Sequence, residues 1–227
     1  MSKYALRFTK TGPVRFTSHL DLLRMFKRAF RRTGIPVSYS QGFNPHPRMG
    51  FCQPLSLGYS GLGEYIEFQT DSDAGRTAWL DMLQKGLPDG IKLLGIGIIG
   101  DGQKSMAASC FAADYDIVFD VPYKLKDFDD ILKRFMSQDA IMVSKKTKGG
   151  KIADVDIEPK IRSLKASDKD GKLMLEATLD SGSSSNLSPE LLIKAFCDYA
   201  LPFVERYEID VTRNTLYIDV DYKITWM

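Results

Sequence analysis

Four cations, Arg24, Lys27, Arg28 and Arg31, fall at i, i+3, i+4 and i+7. On a helix turning about 100° per residue that spacing makes one stripe. The nearest acid, Asp21, reaches only toward Arg24 or Met25. Like charges at these separations cost a few tenths of a kcal/mol per pair. A polyphosphate outside the fold would offset that cost, and a merely solvated helix face is the other reading. Beyond the stripe lies Ser38-Tyr39-Ser40-Gln41-Gly42-Phe43-Asn44-Pro45-His46-Pro47-Arg48. Two prolines hold His46 extended, and Gly42 permits close backbone approach. Gln41 and Asn44 offer paired donors and acceptors, while Tyr39 and Phe43 offer stacking faces, the groups that read unstacked bases in single-stranded RNA. The alternative is a rigid turn whose Phe43 plugs the core.

His46, with a pKa near neutrality, would suit proton transfer in phosphodiester cleavage; His19, in the first turn of a helix, is a second candidate. Neither has an identifiable partner in the sequence, and a lone histidine is more often a hydrogen-bonding or packing residue. Lys145, Lys146, Lys148 and Lys151 surround a Gly149-Gly150 turn and read either as a second nucleic-acid contact or as solubilising edge charges. Cys52, Cys110 and Cys197 are far apart and odd in number, which argues against a disulfide framework or a closed metal site and for free buried thiols. No phosphate-binding loop, iron–sulfur spacing or nucleophile elbow occurs. No cofactor or metal is expected, and a self-contained enzyme is not supported.

The charge is unevenly spread. The first fifty residues hold ten bases (Lys3, Arg7, Lys10, Arg15, Arg24, Lys27, Arg28, Arg31, Arg32, Arg48) against Asp21 alone, whereas the whole chain of 227 residues nets only +2. The remainder is therefore net acidic, and the basic end reads as a dedicated anion-binding face. No apolar run approaches the roughly 20 residues of a membrane span, and the opening residues lack a signal-peptide pattern, so a cytosolic, membrane-free protein is expected.

These groups need elements to position them. Residues 3–9 alternate as a strand, with Tyr4, Leu6 and Phe8 on one face, and Val14–Phe16 is expected to extend it or pair with it. Ser18 caps a helix running from His19 to Thr33, with Leu20, Leu23, Phe26 and Phe30 as its apolar face and Gly34 and Pro36 ending it. Strands are expected at Pro36–Tyr39, Phe51–Leu57, Glu64–Thr70 and Ile91–Ile99, with a helix at Gly75–Lys85. Residues 100–110 read as a linker. The second half predicts strands at Tyr115–Val121, Ala140–Lys146, Lys151–Ile157, Leu173–Leu179, Glu205–Val211 and Leu216–Tyr222. Helices are expected at Leu125–Met136 and, behind Ser188-Pro189, to Ala200. The whole reads as α+β, two tandem ferredoxin-like (split β-α-β) domains: a basic one over 1–100 and a second over 111–227.

The run Phe16-Thr17-Ser18-His19-Leu20-Asp21-Leu22-Leu23-Arg24, the run from Pro36 to Pro47, Glu64-Tyr65, Asp156-Ile157-Glu158-Pro159 and Asn186-Leu187-Ser188-Pro189-Glu190 together resemble the radical-SAM-linked domain family. Its members stand alone or are fused behind cobalamin-binding radical SAM proteins. The resemblance implies a partner that presents RNA or a ribosome-related substrate to a radical SAM enzyme, without a cluster of its own. Phe16–Asp21 is also distantly similar to the RNA-processing RAMP proteins of CRISPR systems, which implies a metal-independent endoribonuclease as the alternative. The expected activity is thus a non-enzymatic RNA-binding accessory, with Arg15, Arg24, Lys27, Arg28, Arg31 and Arg48 on phosphates and Gln41, Phe43, Asn44 and His46 on bases. A pure protein–protein adaptor is the third class, predicting no RNA affinity.

Overall fold

The structure, a computed structural model, describes every residue except 123–124 and 147–148, and no side chains at 122–127 or 146–148. Lys148 of the second basic spot therefore lies outside the described residues. The chain forms two compact units, Met1–Cys110 with Thr215–Met227, and Phe111–Asn214. In chain order the elements are β1 (Ser2–Lys10), α1 (His19–Thr33), β2 (Met49–Phe51), β3 (Ser60–Thr70), α2 (Trp79–Gln84), β4 (Ile91–Ile99) and α3 (Met106–Ser109). Then come β5 (Cys110–Pro122), α4 (Leu125–Met136), β6 (Met142–Lys146), β7 (Ile152–Asp156), β8 (Ile161–Lys169), β9 (Lys172–Asp180), α5 (Pro189–Ala200), β10 (Ile209–Ile218) and β11 (Ile224–Trp226). The class is α+β.

In the first unit β1 lies between β3 and β4, antiparallel to both, β2 pairs with β3, and β11 pairs with β4. Alternation along β1 sends Tyr4, Leu6 and Phe8 to one side, where all three are fully buried with Ile66, Phe68 and Trp79. The opposite side carries Lys3 and Arg7 across from Gln69 and Tyr65. In the second unit β5 lies between β9 and β10, and β8 borders β9, while β6 and β7 form a separate hairpin. Phe135 meets Phe196 edge-on at 5.3 Å over this sheet, joining α4 to α5.

The helix bounds expected for α1, α4 and α5 and the strand bounds of β4 are those observed. Several expectations need correction. Gly12–Phe16 is a 3-10 turn rather than a strand, opened by Pro13 near its first position. Pro36–Tyr39 makes only one isolated bridge, Tyr39 to Pro47. Residues 100–110 are no free linker: they contain α3, whose Met106 is fully buried. Gly75–Lys85 is a 3-10 turn followed by the short α2. The reading missed β8, and the two strands expected over Glu205–Tyr222 are one, β10, after a 3-10 turn at Arg206–Glu208.

Candidate nucleic-acid interface

Helix α1 starts where the Ser18 hydroxyl accepts the Asp21 backbone N–H at 3.2 Å, and it ends at Gly34, whose left-handed φ of 71° costs least for a residue without Cβ. Its buried face is Leu22, Phe26, Ala29 and Phe30: Phe26 and Phe30 are buried as expected and Leu23 is half-buried, but Leu20, 62% exposed, gives way to Leu22. Rotating the buried face in this way leaves Arg24, Arg28 and Arg31 exposed and Lys27 half-buried. Asp21 pairs with Arg24 at 2.9 Å, both exposed. Hydrogen bonds from Ser18 and then Arg24 hold the Asp21 carboxyl below the usual carboxylate range. Arg28 adds a through-space attraction to Asp21, while Lys27 and Arg31 have no acidic partner among the described residues.

Four of the ten N-terminal bases are engaged by other groups of the fold, Arg32 while still exposed. Lys10 is buried with its ammonium on the Thr17 carbonyl at 3.0 Å, and Lys3 sits 3.0 Å from the Gln103 carbonyl. Arg7 lies over the Tyr65 ring at 5.9 Å, and Arg32 donates to the Gly86 carbonyl at 2.9 Å. The exposed basic surface is accordingly narrower than composition implied.

After Ile35 the chain forms a clamped hairpin. Ser38 N–H donates to the Gln69 carbonyl (2.8 Å), Arg48 N–H to the Ser38 carbonyl (2.8 Å), and Gln69 N–H to the Arg48 carbonyl (3.0 Å). One step outward, Ser40 N–H donates to the His46 carbonyl at 2.8 Å, and His46 N–H returns to the Ser40 hydroxyl at 2.9 Å. The stem is thus fixed to β3, while Gln41, Phe43, Asn44 and the His46 ring all face solvent. Phe43 is 112% exposed, so it plugs no core. The Phe43 ring has no packing partner among the described residues, so both its faces are open to solvent.

Between the C-terminal half of α1 and this stem runs a cleft of about 250 Å³. Lys27 and Arg31 line one wall, Tyr39 and Pro47 the other, and Phe30 and Met49 lie beneath. The structure therefore brings two of the stripe cations to the hairpin. Arg24 and Arg28 stand on the exposed helix face outside the cleft. Arg15 is apart, its guanidinium 4.8 Å over the Phe16 ring. Arg48 projects to the other side of β2, donating to Gln69 Oε1 at 3.2 Å.

The two histidines differ. The His19 ring packs 5.0 Å from the Phe51 ring, and burial, then the nearby Lys10 charge, push its pKa down. The His46 ring has no side-chain partner among the described residues. Neither therefore has the oriented second group that a base in strand cleavage uses. Lys145 and Lys151 are exposed at the β6–β7 hairpin. Sequence reasoning missed the cleft residues Pro47 and Met49, whose only signal was the alternation of 47 and 49 on an extended segment. It also missed the exposure of Phe16, 62%, beside Arg15. Among the described residues no cluster of His, Cys, Asp and Glu is arranged to hold a metal ion, and no helix is long and apolar enough to cross a membrane.

A family model, described as "Uncharacterized protein conserved in bacteria (DUF2344)", matches residues 3–189. No curated protein matches the chain. Among solved structures, a Cbf5–Nop10–Gar1 complex aligns at 9% identity with a TM-score of 0.49, covering 94% of this chain and 48% of that one. An archaeal box H/ACA sRNP Nop10–Cbf5 complex aligns at 8% and 0.43, over 92% and 46%. An H/ACA RNP bound to a substrate RNA containing 2'-deoxyuridine aligns at 9% and 0.44, over 93% and 47%. This chain spans about half the length of those chains, and likenesses of this degree carry no functional argument.

Proposed function

We propose that this chain, which belongs to the bacterial family DUF2344, is an RNA-binding accessory protein that holds single-stranded RNA across α1 and the Ser38–Arg48 hairpin. The observation carrying this reading is Phe43, fully exposed at the tip of a hairpin pinned to β3 and flanked by exposed Gln41, Asn44 and His46. A base stacks on its ring, and the neighbouring amides and imidazole reach the base edge. The phosphates on either side fall to Lys27 and Arg31 in the cleft and to Arg24 and Arg28 on the helix face, with Arg15 and Arg48 toward the margins. The chain supplies contacts and no reaction of its own.

The resemblance to the radical-SAM-linked domain family extends the reading: the bound RNA, or a ribosome-related substrate, is presented in the cytosol to a radical SAM enzyme. The net-acidic second half is the surface assigned to that enzyme. We read both units as ferredoxin-like, in domains 1–100 and 111–227 with the closing segment 215–227 beside the first. Support comes from the parallel between β4-β1-β3-β2 and β10-β5-β9-β8, the same succession of strands in chain order.

Zero-length ultraviolet cross-linking of single-stranded RNA to the intact protein, followed by peptide sequencing, tests the site. Adducts are expected within 39–48, centred on Phe43. Adducts confined to the second unit, or none at low salt, refute the site. RNA shortened during incubation, and protected by His46→Ala, would move the reading to the endoribonuclease.

A further inference from the structure

Strand β2 separates two clefts. Met49 borders both, but Gly50 and Arg48 face the one opposite the α1 hairpin cleft, against β3 and α3. This second cleft, also about 250 Å³, lies within the first unit. Pockets for drug-sized ligands start near 300 Å³, so it is sized for a single heterocycle. Its polar side is a short cross-strand ladder. Arg48 lies opposite Gln69, and Gly50 opposite Glu67, on one face of the sheet. At position 50 no side chain fills the rung, and a Cβ placed there would meet nothing within 4 Å. The missing side chain leaves the space open. Fully buried Met106 and buried Cys52 make the apolar side.

We propose that this cleft is a guanine-binding pocket that reads one base of the RNA held at the neighbouring hairpin, an inference resting on the RNA-binding reading above. The Glu67 carboxylate takes the Met106 backbone N–H on Oε2 at 2.7 Å, its Oε1 stands 4.0 Å from the Lys3 ammonium, and both oxygens keep further lone pairs for a ligand. Guanine is the base that presents two adjacent donors, N1–H and N2–H2, to a carboxylate. Adenine and cytosine set a ring acceptor beside their amino group, and uracil flanks its N3–H with two carbonyls, so a bidentate carboxylate disfavours all three. On guanine's other edge O6 and N7 accept from an arginine. Arg48 spends Nη1 on Gln69 and retains further N–H donors for them.

The test uses fluorescein-labelled U12 RNA carrying one central guanine, adenine, inosine or uracil, titrated by fluorescence anisotropy. Guanine is expected to bind about tenfold or more tightly than adenine or uracil, as one bidentate pair discriminates. Inosine, lacking the 2-amino group, falls between. Glu67→Gln keeps an acceptor for Met106 N–H but loses the carboxylate, and is expected to erase the guanine preference while uracil affinity holds. Gly50→Val, filling the cleft in a backbone conformation open to any residue, is expected to do the same with an unchanged melting temperature. Phe43→Ala, by contrast, weakens all four RNAs alike. Equal binding of all four by the native protein overturns the pocket and leaves RNA binding standing. Binding of none refutes the RNA reading itself. The pocket is then judged on guanosine 5'-monophosphate alone by NMR, where unmoved Gly50 and Met106 signals overturn it and shifted ones uphold it.

Discussion

Replacing Phe43 by alanine separates the ring's contribution to binding from any contribution to the fold. At 112% exposure the ring has no packing to lose, and exposed substitutions of this kind change stability by about 0.5 kcal/mol or less. The hairpin's hydrogen bonds run through Ser38, Ser40, His46 and Arg48, not through residue 43. Thermal melting should therefore be unchanged. Stacking of a base on an aromatic side chain contributes about 1–3 kcal/mol, which is roughly a 5- to 150-fold change in dissociation constant. Anisotropy titrations of a labelled single-stranded 12-mer with wild type, Phe43→Ala and Phe43→Trp measure it. The account expects a loss in that range for alanine and recovery with tryptophan. Unchanged affinity for Phe43→Ala refutes the stacking role. A large fall in melting temperature would show instead that the ring belongs to the core.

Three other perturbations probe other links. Arg28→Ala with Arg31→Ala removes two phosphate contacts, so the log–log salt slope should flatten by about 1.4 on single-stranded RNA; an unaltered slope places the phosphates elsewhere. His19 has its pKa lowered in the fold, so the unfolded chain binds more protons below about pH 6.5. Stability from this group is full above that pH and is lost as pH falls toward the folded value; His19→Gln should remove that part of the pH dependence in melting scans from pH 7 to 5. Phe26, fully buried and edge-on to Phe8 at 4.9 Å, should cost about 3–5 kcal/mol when truncated to alanine, read by urea denaturation.

Local signals served well where both ends of an element were marked by chemistry. Helix α1 has a serine cap and a left-handed glycine stop, and its bounds were legible. Its buried face was legible at Phe26 and Phe30 but not in the first turn, because Leu20 and Leu22 both fit a three- and four-residue repeat. What selects Leu22 is tertiary: small residues let α1 and the turn after α2 approach, since a Cβ added at Gly86 would stand 3.7 Å from the Ala29 methyl. Residues 36–39 read as a strand since they are extended, yet their hydrogen bonds go to single groups rather than to a ladder. Met106 hid among small polar residues, and its burial comes from contacts distant in sequence, including the Glu67 bond to its amide.

The candidate site divides the same way. The stripe spacing and the hairpin's composition were visible in the sequence. That Lys10 turns inward, that Arg32 is tied to the Gly86 carbonyl, and that Lys27 and Arg31 share a cleft with Tyr39 all depend on tertiary contacts. Nothing local encoded the Gly50–Glu67 rung, because it is a pairing between two strands.

The most direct measurement is titration of labelled single-stranded RNA with the purified protein across a salt series, alongside duplex RNA of the same sequence. The account predicts micromolar or tighter binding of the single strand at low salt, steep weakening as salt rises, and weaker binding of the duplex, whose stacked bases cannot reach Phe43. Absence of binding at low salt, or equal affinity for duplex and single strand, would contradict it.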